Sequence, residues 1–208
     1  HFIAGDLVAA RADAERAVNE SAEDLQRLLS VMTLSTIEVY EGRPDTAMGV
    51  LRQAASIPYQ RTRGMSPRWM HSDELLAAAT AGDLDHADRV DATYRNDHHP
   101  AGLLDAFAEI GSARRSFAAG FPEQARQVLR DHIAHVTHTG HVAAEMLCLY
   151  ELCRLDRPGE AVERMAALAA DFQGALAAMF TEHALAIVAD DADALGAAAE
   201  RLASARLH

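Results

Sequence analysis

An all-α fold, wound as a solenoid of about eleven antiparallel helices, is predicted by three features of this sequence. Alanine fills 44 of the 208 positions, and it has the highest intrinsic helix propensity. Half of the residues are apolar but only 5% are aromatic, so the interior must be packed with Ala, Leu, Val and Met. Such side chains suit close helix contacts better than a thick β-sandwich. Third, one short pattern recurs along the chain: a turn residue, then a small residue five places on.

With the turn residues Gly5, Gly42, Gly82, Gly120, Asp156 and Asp190 as anchors, the successive spacings are 37, 40, 38, 36 and 34. Five places after them stand Ala10, Ala47, Ala87, Ala125, Ala161 and Leu195. Twelve places after them stand Ala17, Ala54, Tyr94, His132, Leu168 and Leu202. The recurring alanine has a packing reason: a small side chain where two antiparallel helices cross lets the backbones approach. Glycine ahead of it allows the sharp turn, often at positive φ, that ends the preceding helix.

Taken in order, the helices are expected at 6–20, 22–41, 44–56, 67–81, 83–95, 101–119, 122–137, 142–154, 158–170, 172–189 and 191–205. The first follows Gly5. Pro44, Pro122 and Pro158 each stand two places after an anchor and open the third, seventh and ninth helices, where a missing N–H is no loss. Pro67 and Pro100 stand at the openings of the fourth and sixth. The long connection is 57–66, IPYQRTRGMS, and a shorter one runs from Asn96 to His99. No low-complexity linker divides the chain, so residues 1–208 read as one continuous helical domain.

A period near 34 to 40 with Gly-Asp at the turn and Ala on the second helix resembles the tetratricopeptide repeat. The second helices carry the likeness. In the repeat ending at Gly42 the bulky first-helix positions fall on Val31, Leu34, Ser35 and Glu38, and W-x2-L-G-x2-Y does not occur. The stretch RRSFAAGFPEQARQVL and the ending ALGAAAERLASARLH resemble the middle region of the large LuxR-type, MalT-like, bacterial transcription regulators. That resemblance implies a right-handed superhelix that binds an inducer or a partner protein and passes on the decision to oligomerise. It also implies a flanking signal-transducing ATPase and a helix-turn-helix. This chain contains neither GxxxxGK[ST] nor a basic recognition helix, and it is expected to be a piece of a longer regulator.

The formal charge is −12, and all 19 basic residues are arginine. Such a surface repels nucleic acid and anionic lipid, which select for positive charge. The lack of lysine excludes a P-loop lysine and a Schiff-base lysine. No apolar run reaches the ~18 residues that a membrane span needs. Cys148 and Cys153 are five residues apart on one expected helix, about 140° apart around its axis. They are expected to be buried free thiols, which fits a reducing cytoplasm.

No HExxH, GxSxG, GxGxxG or CxxC motif is present, and neither catalysis nor a cofactor is expected. The carboxylates are expected on outer, solvated faces. His132, His135, His138 and His141 have a spacing that lets the first pair share a helix face, but no Cys accompanies them, and a solvated helix end explains them better than a metal. DADALG at Asp191–Gly196 opens like a calcium loop, but Leu195 and Leu202 stand where oxygen ligands are required. Counting from the anchors, Met32, Val39, Trp69, Phe107, Ile110, Arg114, Phe117, Met146, Tyr150 and Phe180 fall on the concave side. Among them Trp69, Phe107, Arg114 and Tyr150 are the candidate ligand-binding residues. Flat rings suit a small metabolite such as a sugar, and Arg supplies directional donors. Arg61, Arg63 and Arg68 are candidates for a rim. The alternative reading is a scaffold whose groove takes a basic peptide or partner helix.

Overall fold

The computed structural model describes residues 2, 4–54, 57, 67–97, 102–155, 158–171 and 174–207. Eleven α-helices occupy them: α1 (Leu7–Glu20), α2 (Asp24–Tyr40), α3 (Pro44–Ala54), α4 (Arg68–Ala81), α5 (Leu84–Asn96), α6 (Leu103–Ala118), α7 (Pro122–Thr139), α8 (Val142–Arg154), α9 (Pro158–Asp171), α10 (Ala175–Ala189) and α11 (Ala192–Ser204). No strand occurs among the described residues. The expected connection 57–66 lies almost wholly outside them, as do Asp156, Pro100, Arg61 and Arg63.

One turn chemistry repeats down the chain. At Gly42, Gly82 and Gly120 φ is +74°, +77° and +87°, and Asp190 takes the same left-handed conformation at +50°. Each turn residue donates its N–H to the carbonyl three residues back, and its successor donates to the carbonyl five back, as in Gly82 to Ala79 and Asp83 to Ala78. That pair of bonds satisfies the free carbonyls at a helix end. Asp6, Asp83 and Asp191 then cap the helices that follow, each accepting from a first-turn N–H. Asp191 of the would-be calcium loop is therefore an N-cap.

Neighbouring helices pack in sequence, and α2, α4, α6, α8 and α10 also pack on one another in that order. The two sets of helices differ in burial for this reason. The inner set is enclosed on several sides, so α8 is buried without interruption from Ala144 to Cys153 and α6 from Ala106 to Ala113. The outer helices bury one stripe each: Ala47, Leu51 and Ala54 on α3, Ala87, Val90 and Tyr94 on α5, Ala125, Leu129 and Val136 on α7. A single stripe at this spacing marks a helix covered on one face. The five repeat alanines Ala10, Ala47, Ala87, Ala125 and Ala161 are all buried. The sixth position departs: Leu195 is half-buried and Ala198 is the small buried residue of α11.

Burial of the inner helices overturns the expectation that the carboxylates lie on solvated faces. Six of them, Glu38, Glu41, Asp73, Glu109, Glu145 and Glu151, are buried among the described residues. A buried charge needs a partner, and five of the six have arginine. Glu38 takes Arg11 at 2.7 Å and Arg43 at 2.6 Å, and both arginines also reach Glu41. Glu109 takes Arg95, Glu145 takes Arg164 and Glu151 takes Arg114, each through two hydrogen bonds of 2.6–3.0 Å. Asp73 has no arginine.

Cys148 and Cys153 are buried free thiols, as expected. Burial pushes the Cys153 thiol up to about 12 and Cys148 well above its ordinary value, so neither is a ready nucleophile. No described helix is long and apolar enough to cross a membrane.

Candidate functional site

A cavity of about 530 Å³ opens between α1, α2, α4 and α6. Its shape follows from helical spacing. Ala10, Asp13, Ala14 and Ala17 lie at i, i+3, i+4 and i+7 on α1, and Gln26, Leu29, Ser30 and Thr33 repeat that spacing on α2. Each set forms one face of its helix. Three of the four α1 residues are alanine, which leaves space where longer side chains would fill it. Leu103, Leu104 and Phe107 of α6 supply an apolar wall, and Phe2 closes it, meeting Phe107 edge-on with centroids 6.3 Å apart. A volume of this size, mostly apolar with a few polar groups, is typical of a small-molecule site.

Most polar groups in these walls are already satisfied. The hydroxyls of Ser30 and Thr33 donate to the carbonyls four residues back, at 2.8 and 2.9 Å. Thr36 divides its hydroxyl between the Met32 carbonyl and Asp73 Oδ1, both at 3.2 Å. Asp73 is 1% exposed, and its Oδ2 has no hydrogen-bond partner. Burial pushes its carboxyl up to about 8, and the Thr36 bond opposes this only in part. The cavity thus offers one unanswered carboxyl group against apolar walls.

Of the four candidate residues, only Phe107 lines this cavity. Trp69, half-buried at the start of α4, packs in the cluster of Leu28, Val31, Met32 and Ala54, which includes the cavity residue Leu104 at its edge. Arg114 is bound bidentately to Glu151 at 2.7 and 2.8 Å and to the Thr80 hydroxyl at 2.7 Å. Burial of Arg114 opposes its charge, but Glu151 outweighs burial and holds the guanidinium above its ordinary range. Its donors face protein groups. Tyr150 stacks on Phe180 at 3.8 Å and bonds His183 Nδ1 at 2.8 Å. It lines a separate cavity of about 400 Å³ with Tyr40 and Leu207, and burial raises its phenol to about 12. The four residues therefore do not share one pocket. Arg68, expected at a rim, instead lies 3.6 Å over the Tyr94 ring and bonds Asp105.

His132 and His135 stand with rings 6.1 Å apart at a third cavity, of about 450 Å³, among α5, α6 and α7. Its charges neutralise one another through Arg95–Glu109 and Arg95–Asp91. Among the described residues no group of three His, Cys, Asp or Glu is placed to hold a metal.

Asp73 is the residue that sequence reasoning missed. The signal for it was available: it follows Trp69 by four positions and so shares its helix face. Comparison with protein-family models, with curated proteins and with solved structures finds no match to this chain.

Proposed function

We propose that this chain is a ligand-sensing helical-repeat domain, and that a small metabolite binds in the cavity between α1, α2, α4 and α6. The single observation that carries this reading is the convergence of helices from three successive repeats on one apolar cavity, with an unpaired buried carboxyl in its wall. The regular left-handed turns and buried repeat alanines support a right-handed, tetratricopeptide-like solenoid. Within that class, the resemblance carried by RRSFAAGFPEQARQVL and ALGAAAERLASARLH favours the sensor segment of a LuxR-type, MalT-like transcription regulator. Binding acts by population shift, so the ligand must prefer one arrangement of the repeats over another. The wall residue Phe2 belongs to a segment that also touches α10, where the Ala175 N–H donates to the Ala4 carbonyl at 2.9 Å. Occupancy of the cavity is thereby linked to contact between the N-terminal segment and α10.

Trp69, unique in the chain, reports on this site through the cluster it shares with Met32 and Leu104, two cavity residues. The test screens metabolites, carbohydrates among them, by melting temperature and Trp69 fluorescence, with Thr33→Phe as the variant that fills the cavity. A ligand that stabilises the wild type and not the variant is the expected result. If no small molecule acts, while basic peptides bind with steep salt dependence, the peptide-scaffold reading replaces this one.

A further inference from the structure

The six buried carboxylates form a series with one exception, and the exception faces the cavity. Glu38, Glu41, Glu109, Glu145 and Glu151 each meet an arginine of this chain. Asp73 meets only the Thr36 hydroxyl, on one oxygen. The cavity residues of α2 are uncharged, those of α6 are Leu103, Leu104 and Phe107, and α3 and α5 contribute none. Among the described wall residues Asp13 of α1, which pairs with Arg16 at 3.5 Å, is the only other titratable group, so those residues include two acidic groups and no basic one.

We infer that the cavity takes a small organic cation, a primary or secondary ammonium on an apolar body, with Asp73 as its counter-ion. This deepens the sensor reading above and rests on it. The ammonium supplies the missing arginine: the Asp73 carboxyl, whose Oδ2 is closed off in the empty cavity, turns to accept from it, and Thr36 holds Oδ1. The apolar body lies against Leu104 and Phe107. A neutral ligand makes no ion pair with Asp73, and an anion is repelled once Asp73 is ionised. Because burial holds Asp73 protonated near neutrality in the empty cavity, binding transfers its proton to solvent. Each bound ammonium therefore releases close to one proton at pH 7, and affinity rises about tenfold per pH unit between roughly pH 6 and 8.

The experiment uses three probes of one shape: phenethylamine, phenethyl alcohol and phenylacetate. Calorimetry in two buffers of different ionisation enthalpy reads affinity and proton release together, and Trp69 fluorescence gives a second readout. The amine is expected to bind at least tenfold more tightly than the alcohol, to release a proton, and to lose at least tenfold in affinity in Asp73→Asn. Equal binding of amine and alcohol, preference for phenylacetate, or binding without proton release overturns the cation and leaves the cavity reading in place. Failure of all three probes, or binding that Thr33→Phe does not weaken, overturns the cavity reading itself.

Discussion

Asp73 also governs how the empty protein should respond to pH. Its carboxyl is raised from 3.8 to about 8 on folding, so the folded state holds a proton that the unfolded chain has released. Its contribution to stability is complete below the unfolded value and is lost as pH rises toward 8. Glu38, Glu145 and Glu151 have the opposite sign. Burial disfavours their charge, but Arg43 and Arg11, Arg164, and Arg114 outweigh it and hold them below the usual carboxylate range. Their stabilisation is present above that range and fails only as pH falls below it. His132 and His183, both lowered from 6.5 by burial, add a slope of opposite sign below that value, so between about pH 6.5 and 8 Asp73 sets the slope. Denaturant unfolding across that interval is expected to show stability falling by up to about 1.4 kcal/mol per pH unit, and Asp73→Asn should flatten the curve. An unchanged slope in that variant would remove Asp73 from the account. At this scale the sequence was least legible. Arg114 is a binding candidate for its directional donors, yet Glu151, one repeat further on, occupies them. Thr36–Asp73 and Arg68–Asp105 share the same separation of 37 residues. Side-chain pairing across a repeat depends on how far each inner helix slides on the next, and the turn pattern does not encode that slide.

Helices and their ends were far more legible, because they are written in short-range chemistry. Glycine at a left-handed turn, proline at a helix start and aspartate at an N-cap each act within about five residues. The crossing of α4 and α6 was not visible in this way. There the close approach is set by Gly111 in the middle of α6: a Cβ on it would lie 2.8 Å from the Leu76 nitrogen and 2.9 Å from the Leu75 carbonyl carbon. Backbone atoms cannot yield as a side-chain tip can. Alanine is the better helix former by about 1 kcal/mol, but overpacking a tight crossing costs about 1–3 kcal/mol, so packing decides the sign. Gly111→Ala is expected to destabilise the protein by about 1–2 kcal/mol. Gly196→Ala, on the exposed face of α11 with nothing within 4 Å of the new Cβ, should stabilise it by about 0.5–1 kcal/mol. Thermal melts of the pair check this directly, since a shared sign for the two variants would show that helix propensity, and not the crossing, controls Gly111.

At the scale of the whole molecule, the N-terminal segment meets the start of α10, which no local pattern announces. A Cβ on Gly174 would stand 2.7 Å from the Ala4 backbone, and one on Gly5 would stand 2.8 Å from the Leu176 nitrogen. At the far end, Arg206 at φ +61° repeats the turn chemistry of the inner helices and returns Leu207 to the core beside Tyr40 and Phe180. Arg206 also reaches the buried Glu41 at 3.8 Å. Phe2 lies in the same segment as Ala4 and packs on Tyr40 and Phe107, so the cavity wall and the contact with α10 should open together. Gly174→Ala tests this coupling, because the new methyl meets backbone and the φ of +124° at this position is strained for any other L-residue. In small-angle scattering the wild type is expected near the roughly 17 Å radius of gyration of a compact chain of this length, and the variant above it. Phenethylamine binding should weaken in the variant in the same step. A variant that expands without losing affinity would show that the cavity forms independently of closure, and the proposed sensing role would then need another route from ligand to shape.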